Sequence, residues 1–431
     1  MRTNNWQRLS WRLAGLLIPL VLAACTAATA RERAQPSATT PDAVATATTA
    51  TTAADPAPEP SDFSRKEATN LTEDDRPSRI RSATANWNTN WNRHTIEYAE
   101  LLSGGPPRDG IPSVDDPQFV SPDEAADWLA ANEPVIALEI NGDARAYPLQ
   151  ILIWHEIVND TAGGVPVLIT FCPLCNSAIT FDRRLDGTVY EFGTSGLLRN
   201  SDLVMYDRTT ESLWQQFTGE AIVGDLTGSQ LSFFPSSIVS FADFRDAHPD
   251  GGVLSRDTGY SRDYGRNPYV GYDTIGQRPF LFGGKPDGRL PAMERVVAVA
   301  LSDSTGQEVN VAYPFSVLSE LGVVNDAQAG HDLAIFFTPG TSSALGSGLI
   351  ARGEDIGASG VFDPYLDGEK LTFDLKGDKI VDTATDSEWN ILGQAVSGPL
   401  SGKQLTPIVH ANHFWFSWAA FKPDTIVFSP S

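Results

Sequence analysis

The sequence predicts a β-rich α+β fold made of two tandem copies of one strand-helix-strand unit. Segments in the first half of the chain recur in the same order in the second half. Short runs of β-branched residues alternate with turn signals such as Asn141-Gly142 and Asp186-Gly187, which favour hairpins. A polar, low-complexity stretch precedes these patterns, so the folded part is expected to follow a disordered stalk.

The repeat is clearest where residues 146–160 (AYPLQILIWHEIVND) align with residues 312–326 (AYPFSVLSELGVVND). Further matches, in the same order along the chain, join residues 169–178 with 335–344, 185–192 with 366–373, and 213–231 with 388–405. We therefore expect repeat unit 1 at residues 134–250, a connecting insert at 251–295 and repeat unit 2 at 296–431.

Each predicted element of the first unit has a local cause. Residues 135–140 alternate as in a strand, Asn141-Gly142-Asp143 turns the chain, and residues 144–147 return. Pro148 is expected to open a helix that carries His155 and Val158 on one apolar stripe. Residues 159–164 break that helix. The remaining expected elements are strands at 165–171, 179–184, 188–192, 203–207 and 221–223, and a closing helix at 237–248.

The N-terminus has the pattern of an export signal. Three arginines are followed by an apolar run that ends in Leu22-Ala23-Ala24-Cys25. This ending resembles the lipobox of bacterial lipoproteins. It predicts a signal peptide at residues 1–24, lipidation of Cys25 and an extracytoplasmic protein anchored to the cell membrane. The alternative is an ordinary signal peptide with a chance cysteine.

Composition predicts the nature of the two segments that follow the signal peptide, and the net charge argues against some classes of binding partner. Residues 25–78 are rich in Ala, Thr and Pro and are expected to form the disordered stalk, followed by an N-terminal extension at 79–133. The formal net charge is −23. That charge argues against nucleic acid and against electrostatic binding to anionic lipids.

Comparing the two copies identifies candidate site residues. His155 aligns with Leu321, Cys172 with Thr338, Cys175 with Thr341 and Met205 with Ile380, while residues 195–200 have no counterpart. The second copy is expected to fold without these side chains. They are therefore candidates for function rather than for the fold.

Their chemistry points first to a metal. Two thiolates and an imidazole, from Cys172, Cys175 and His155, suit copper or zinc, and a weak thioether ligand from Met205 would favour copper. Glu156 and Asn176 are weaker oxygen candidates. His410 and His413 are a possible second ligand pair.

Two other interpretations of the cysteine pair stay open. Cys172 and Cys175 suit a dithiol oxidoreductase, with a redox or metal-delivery partner still to be identified. They also suit a structural disulfide in a non-catalytic binding or scaffold protein that needs no cofactor.

The connecting insert is unusually polar. A ligand cleft between the units is predicted for residues in and near it: Arg199, Asn200, Arg256, Asp257, Tyr260 and Arg262. The alternative is a solvated, hydrogen-bonded loop.

Several motifs together resemble the DUF3179 family of uncharacterised bacterial and archaeal proteins. They are Asp109-Gly110-Ile111-Pro112, Ala146-Tyr147-Pro148, the segment WHEIVND at 154–160, FCPLC at 171–175, LVMYDR at 203–208 and LSRDTGY at 254–260. The resemblance covers about residues 105–428. It implies one shared fold and no established activity.

Overall fold

The structure is a computed structural model that describes residues 69–70 and 75–430. The predicted signal peptide and Cys25 lie outside the described residues. All the described residues belong to one compact unit. In the part of the chain that is described, no helix is both long and apolar enough to cross a membrane.

The N-terminal region contributes short elements that pack on the rest. Its strands are β1 (Thr69–Asn70), β2 (Arg93–His94), β3 (Leu101–Ser103) and β4 (Phe119–Val120), and its helices are α1 (Ser78–Ala83) and α2 (Pro122–Ala125), with a 3-10 turn at Tyr98–Glu100. β1 pairs with β2 inside the segment that the composition had assigned to the stalk. The bounds of the stalk, residues 25–78, remain a prediction.

The middle region holds most of the expected first unit. Its elements are β5 (Pro134–Ile140), β6 (Asp143–Pro148), α3 (Leu149–His155), β7 (Ile157–Ala162), β8 (Val165–Cys172), β9 (Ser177–Asp182), β10 (Arg184–Leu185), β11 (Thr188–Val189), β12 (Phe192–Arg199), β13 (Asp202–Asp207), β14 (Leu213–Gln215), β15 (Ala221–Val223), β16 (Phe233–Phe234), β17 (Ser237–Ser240), α4 (Phe241–Ala247) and β18 (Gly252–Leu254). β18 lies parallel to β6, while the hairpin partners are antiparallel.

The C-terminal region has its own strands and two helices. They are β19 (Arg295–Ser302), β20 (Glu308–Pro314), α5 (Phe315–Leu321), β21 (Val323–Gln328), β22 (His331–Thr338), β23 (Ala358–Asp363), β24 (Tyr365–Leu366), β25 (Glu369–Lys370), β26 (Phe373–Lys376), β27 (Lys379–Asp382), β28 (Glu388–Trp389), β29 (Ala395–Ser397), β30 (Thr406–Pro407), β31 (Ala411–Phe414), α6 (Trp415–Phe421) and β32 (Ile426–Val427), with a 3-10 turn at Ile350–Arg352. The β-rich character predicted from the sequence is confirmed.

The strands form several small sheets rather than one large one. In the middle region the main orders are β17-β5-β6-β18-β4, β16-β9-β8-β7 and β1-β2-β15-β14-β13-β12-β3. In the C-terminal region they are β31-β19-β20-β32, β21-β22-β23-β30 and β26-β27-β28-β29. The largest buried core lies between these sheets and includes both Cys172 and Cys175.

Two predicted helices are shorter than expected. The helix that carries His155 ends there, and Val158 belongs to β7, so the predicted stripe was wrong at that position. The β-branched residues Ile157 and Val158 pair with Thr170 and Ile169 of β8, and this pairing overrides helix continuation. Residues 237–240 likewise form β17, and Ser240 caps α4 with a capping box to Asp243.

Candidate metal centre

The two cysteines lie on one tight loop between β8 and β9. β8 ends at Cys172, the Cys175 N–H donates to the Cys172 carbonyl (3.2 Å), and the Asn176 N–H donates to the Pro173 carbonyl (3.3 Å). Cys172 is 2 % exposed and Cys175 is 0 % exposed. Both thiols are free. The loop therefore presents two buried sulfurs side by side without joining them.

Asp202 is the third member of the group. A carboxylate oxygen of Asp202 and the two sulfurs all lie within 4.8 Å of one another, and this is the one group of three or more potential metal ligands of the types His, Cys, Asp and Glu among the described residues. The Asp202 Oδ2 atom accepts hydrogen bonds from the Gln215 side chain (2.5 Å) and the Phe217 backbone (3.0 Å). Its Oδ1 atom is buried and has no hydrogen-bond partner of good geometry in the described part of the chain. One carboxylate oxygen is thus anchored by Gln215 and Phe217, and the carboxylate as a whole lies against the two sulfurs.

A sharp turn brings Asp202 into place. β12 and β13 are joined by Asn200 and Ser201, at φ values of 52° and 70°. Two consecutive left-handed residues are typical of a tight hairpin turn. Asp202 follows immediately as the first residue of β13 and is fully buried.

Burial favours the protonated forms of Cys172, Cys175 and Asp202. It raises the pKa of both thiols, most strongly that of Cys175. It also raises the pKa of Asp202 to about 7, against hydrogen bonds from Gln215, Phe217 and the two thiols that lower it. No ion pair among the described residues includes Asp202 or either cysteine. Three acidic groups therefore share a buried site without a cationic side chain paired to them.

Glu156 adds a further carboxyl beside this group. It is 8 % exposed and follows α3 with a left-handed backbone, at φ 58°. Burial, and next the charge of Asp202, raise the pKa of Glu156 to about 8. Its carbonyl accepts from the N–H of Phe171 (2.8 Å), which places Glu156 across from the residue before Cys172.

Residues from distant parts of the chain cover the group. The Tyr272 hydroxyl donates to the carbonyl of Leu174 (3.1 Å), inside the cysteine loop. The Phe414 N–H donates to the carbonyl of Cys175 (2.8 Å), so β31 supports the loop from another side. The connecting insert and the C-terminal region therefore help to exclude water from the sulfurs.

His155 is not a member of the three-residue group. It is buried, and its Nδ1 atom lies 2.7 Å from the carbonyl of Pro112, which accepts the ring N–H. Its Nε2 atom then accepts from the Tyr264 hydroxyl at 2.6 Å. Burial lowers the pKa of His155. Both ring nitrogens already have partners, and Asp202 rather than His155 is the third residue grouped with the two cysteines.

The remaining predicted ligands lie outside the three-residue group. Met205 is buried in the same apolar core as the cysteines. His413 is 1 % exposed and packs on the Phe217 ring at 4.4 Å, and burial lowers its pKa to about 3. The Nδ1 atom of His410 lies 2.8 Å from the carbonyl of Ile408, which accepts its ring N–H. Asn176 is buried in the cysteine loop, in the left-handed region.

The six residues of the predicted cleft are divided among different environments. Arg199 forms an ion pair with Glu100 (2.8 Å), and Asn200 occupies the turn before Asp202. Arg256 donates to the Gln150 side chain (2.9 Å). Asp257 and Arg262 are exposed, and Tyr260, which is 46 % exposed, lies 5.5 Å from the His155 ring.

An open groove in the described part of the structure lies elsewhere. It measures about 740 Å³, and its walls include Glu139, His248 and Phe362. None of the six cleft residues lines it.

Asp202 is the functional residue that sequence reasoning missed. The signal was present, because the alignment that pairs Met205 with Ile380 also pairs Asp202 with Gly377. Sequence reasoning favoured histidine over aspartate as the partner of thiolates, and it had no information on which turn faces the cysteine loop.

Comparison with known proteins identifies the family. No curated protein and no solved structure gives a significant match to the chain. The profile of the family described as "Protein of unknown function (DUF3179)" matches residues 108–425, which include the cysteine loop, Glu156 and Asp202. The chain belongs to the DUF3179 family.

Proposed function

We propose that this protein is an extracytoplasmic metal-binding protein, anchored to the cell membrane by lipid on Cys25, whose centre is formed by Cys172, Cys175 and Asp202. The proposal of a metal rests on one observation, namely that the two sulfurs and a carboxylate oxygen lie within 4.8 Å of one another. The membrane anchor rests on the sequence pattern Leu22-Ala23-Ala24-Cys25.

Electrostatics support a cation in this place. Several acidic groups packed together are costly to ionise when they are buried, unless a positive charge compensates them. A metal ion supplies that charge directly to thiolate and carboxylate ligands. The buried Oδ1 atom of Asp202 has no hydrogen-bond partner of good geometry among the described residues, so an ion bound beside the two sulfurs could use it as a ligand atom.

The ligand types favour zinc over copper. Zinc accepts thiolate sulfur and carboxylate oxygen together, whereas Cu(I) prefers thiolates and thioethers. Asp202, rather than His155 or Met205, completes the group of three. Copper remains the second candidate because Met205 lies in the same core as the cysteines.

Thiol exchange receives less support from the geometry. A reactive dithiol needs an exposed sulfur whose pKa is lowered by a nearby cation or helix terminus. Here both sulfurs are buried and burial raises their pKa values. The carboxylate of Asp202 acts in the same direction.

Metal content and thiol count together test the proposal. We expect the protein, purified without added metal and then exposed to zinc, to bind one equivalent that protects both thiols from a thiol reagent. The double variant Cys172→Ser with Cys175→Ser should bind no zinc at that site. Copper binding in place of zinc would change the metal assignment. A wild-type protein that binds neither metal would refute the proposed function.

We further propose that residues 134–250 and 296–431 are two copies of one unit. The orders β17-β5-β6-β18 and β31-β19-β20-β32 correspond strand by strand. Tyr147 donates to Asp160 as Tyr313 donates to Asp326. The copies differ at the proposed centre, which only the first retains.

This duplication predicts matched effects on stability. Asp207 accepts from the buried indole N–H of Trp214 (3.0 Å), and Asp382 accepts from that of Trp389 (3.2 Å). Asp207→Ala and Asp382→Ala should each lower the free energy of unfolding by about 1–3 kcal/mol, because each leaves a buried donor unpaired. Chemical denaturation measures both. The exposed Asp246→Ala is the control, with an expected effect below about 1 kcal/mol.

A further inference from the structure

We infer that Glu156 supplies the fourth ligand of the metal centre, an inference that rests on the proposed function. The structure places the strained backbone of this glutamate against Phe171, the residue before Cys172, and its carboxyl has no hydrogen-bond or ion-pair partner among the described residues. Zinc in proteins is commonly four-coordinate, and three ligand atoms leave one position to fill. The Glu156 side chain would turn toward the ion and occupy this fourth position when the ion binds.

The backbone of Glu156 is the first reason. A helix that runs directly into a strand needs one residue in the left-handed region, and glycine is the usual choice because it has no Cβ. After α5 that residue is Gly322, at φ 67°. After α3 it is Glu156, at φ 58°.

The two turns are otherwise built alike. The N–H of Gly322 donates to Leu318 and its carbonyl accepts from Phe337, at 2.7 and 2.8 Å. Glu156 makes the corresponding bonds to Leu152 and Phe171, also at 2.7 and 2.8 Å. Glycine thus fits this turn well, and the presence of glutamate in an unfavourable conformation points to a function for its side chain.

The side chain is the second reason. Glu156 is 8 % exposed, yet its carboxyl has no hydrogen-bond or ion-pair partner among the described residues. A buried carboxyl without a partner is uncommon and calls for a ligand or an ion. Nothing therefore holds this carboxyl away from a neighbouring cation.

The position of Glu156 is the third reason. β7 starts at the next residue, and Ile157 pairs with Thr170 of β8, so Glu156 lies at the same end of the hairpin as Cys172. The α3–β7 turn, the cysteine loop and the β12–β13 turn would then each contribute ligands.

Three variants test the inference. Glu156→Gln keeps the side-chain length and the backbone strain but removes the anionic ligand. Glu156→Gly removes the ligand and also the strain. Ala329→Gly relieves the same strain in a turn of the C-terminal region, where Ala329 has φ 54°, and is the matched control.

The measurements are zinc affinity, by competition with a chromogenic chelator, and the melting temperature of the metal-free protein. Both Glu156 variants should bind zinc at least about tenfold more weakly than wild type. Metal-free Glu156→Gly should melt about 1–3 °C higher than Glu156→Gln. Ala329→Gly should keep wild-type zinc affinity. X-ray absorption should show one oxygen ligand fewer in Glu156→Gln than in wild type.

The outcomes separate this inference from the proposed function. If wild type binds zinc and Cys172→Ser loses it, while Glu156→Gln binds as tightly as wild type with the same oxygen count, the role of Glu156 is wrong and the centre stands. If wild type binds no metal, the proposed function itself fails.

Discussion

The Asp202→Asn variant should lose at least about 100-fold in zinc affinity while keeping its fold. Replacing a ligand is expected to cost at least as much as the 10- to 100-fold seen for residues that only orient ligands. Asparagine can keep the structural bonds, because its side-chain oxygen can accept from Gln215 and Phe217 as Oδ2 of Asp202 does. What changes is the open position, where an amide NH₂ replaces a carboxylate oxygen that faces the sulfurs.

The stability of metal-free Asp202→Asn gives a second readout. Burial raises the pKa of Asp202, which means that the folded protein disfavours its charge. The neutral variant should therefore be at least as stable as wild type at pH 8 without metal. Chelator competition and thermal unfolding of the same samples measure both properties.

Asp160→Asn is the matched control for the loss of a buried carboxylate. Asp160 is 7 % exposed and bonds to Arg145 and to the Tyr147 hydroxyl, apart from the cysteine loop. This variant should lose stability and keep zinc affinity. Wild-type zinc affinity in Asp202→Asn would remove Asp202 from the centre.

The sequence predicted strands well where the alternation of residues and a turn motif agreed. β5, β6 and β8 were expected within one or two residues, because alternation and the Asn141-Gly142 turn agree with each other. The end of α3 was misplaced because apolar spacing alone cannot distinguish Val158 on a helix from Val158 on a buried strand. Val158 belongs to a strand because its neighbours pair with β8, and pairing between separate segments cannot be read from the apolar spacing of one segment.

Only part of the candidate site could be predicted from the sequence, because local spacing brings the two cysteines together but long-range contacts bring in Asp202. Cys172 and Cys175 are close in sequence, so their spacing alone brought them together. Asp202 is 27 residues beyond Cys175. It reaches the sulfurs only because the turn at Asn200 and Ser201 faces the cysteine loop. His155 lies at the end of α3, just before the β7–β8 hairpin that leads to Cys172, but its two ring nitrogens bond to Pro112 and Tyr264 from distant segments.

The pH dependence of the melting temperature should reverse when zinc binds. The folded pKa values of Asp202 and Glu156, about 7 and about 8, exceed the ordinary values of 3.8 and 4.5. Their contribution to the stability of the metal-free protein is therefore fully present below about pH 4 and is lost as the pH rises through 7 to 8. Each proton difference between the folded and unfolded states corresponds to about 1.4 kcal/mol per pH unit.

The useful window for this measurement is pH 7 to 8.5. Burial lowers the pKa values of four histidines, namely His155, His248, His410 and His413. These groups make stability rise with pH, but the rise is nearly complete above the ordinary histidine value of 6.5. Above pH 7 the falling contribution of the two carboxyls remains, so the metal-free melting temperature should decline.

Zinc should act in the opposite direction across the same window. Thiolates are the ligand form, and burial keeps Cys172 and Cys175 protonated without metal, so binding releases two thiol protons. The affinity should then increase by up to about 100-fold per pH unit, and the zinc-induced rise in melting temperature should grow with it. Thermal unfolding at pH 7, 7.5, 8 and 8.5, with and without zinc, measures both trends. The double variant Asp202→Asn with Glu156→Gln should flatten the metal-free decline. A zinc-induced shift that stays constant from pH 7 to 8.5 would mean that binding releases no protons there, which would exclude the buried thiols as ligands.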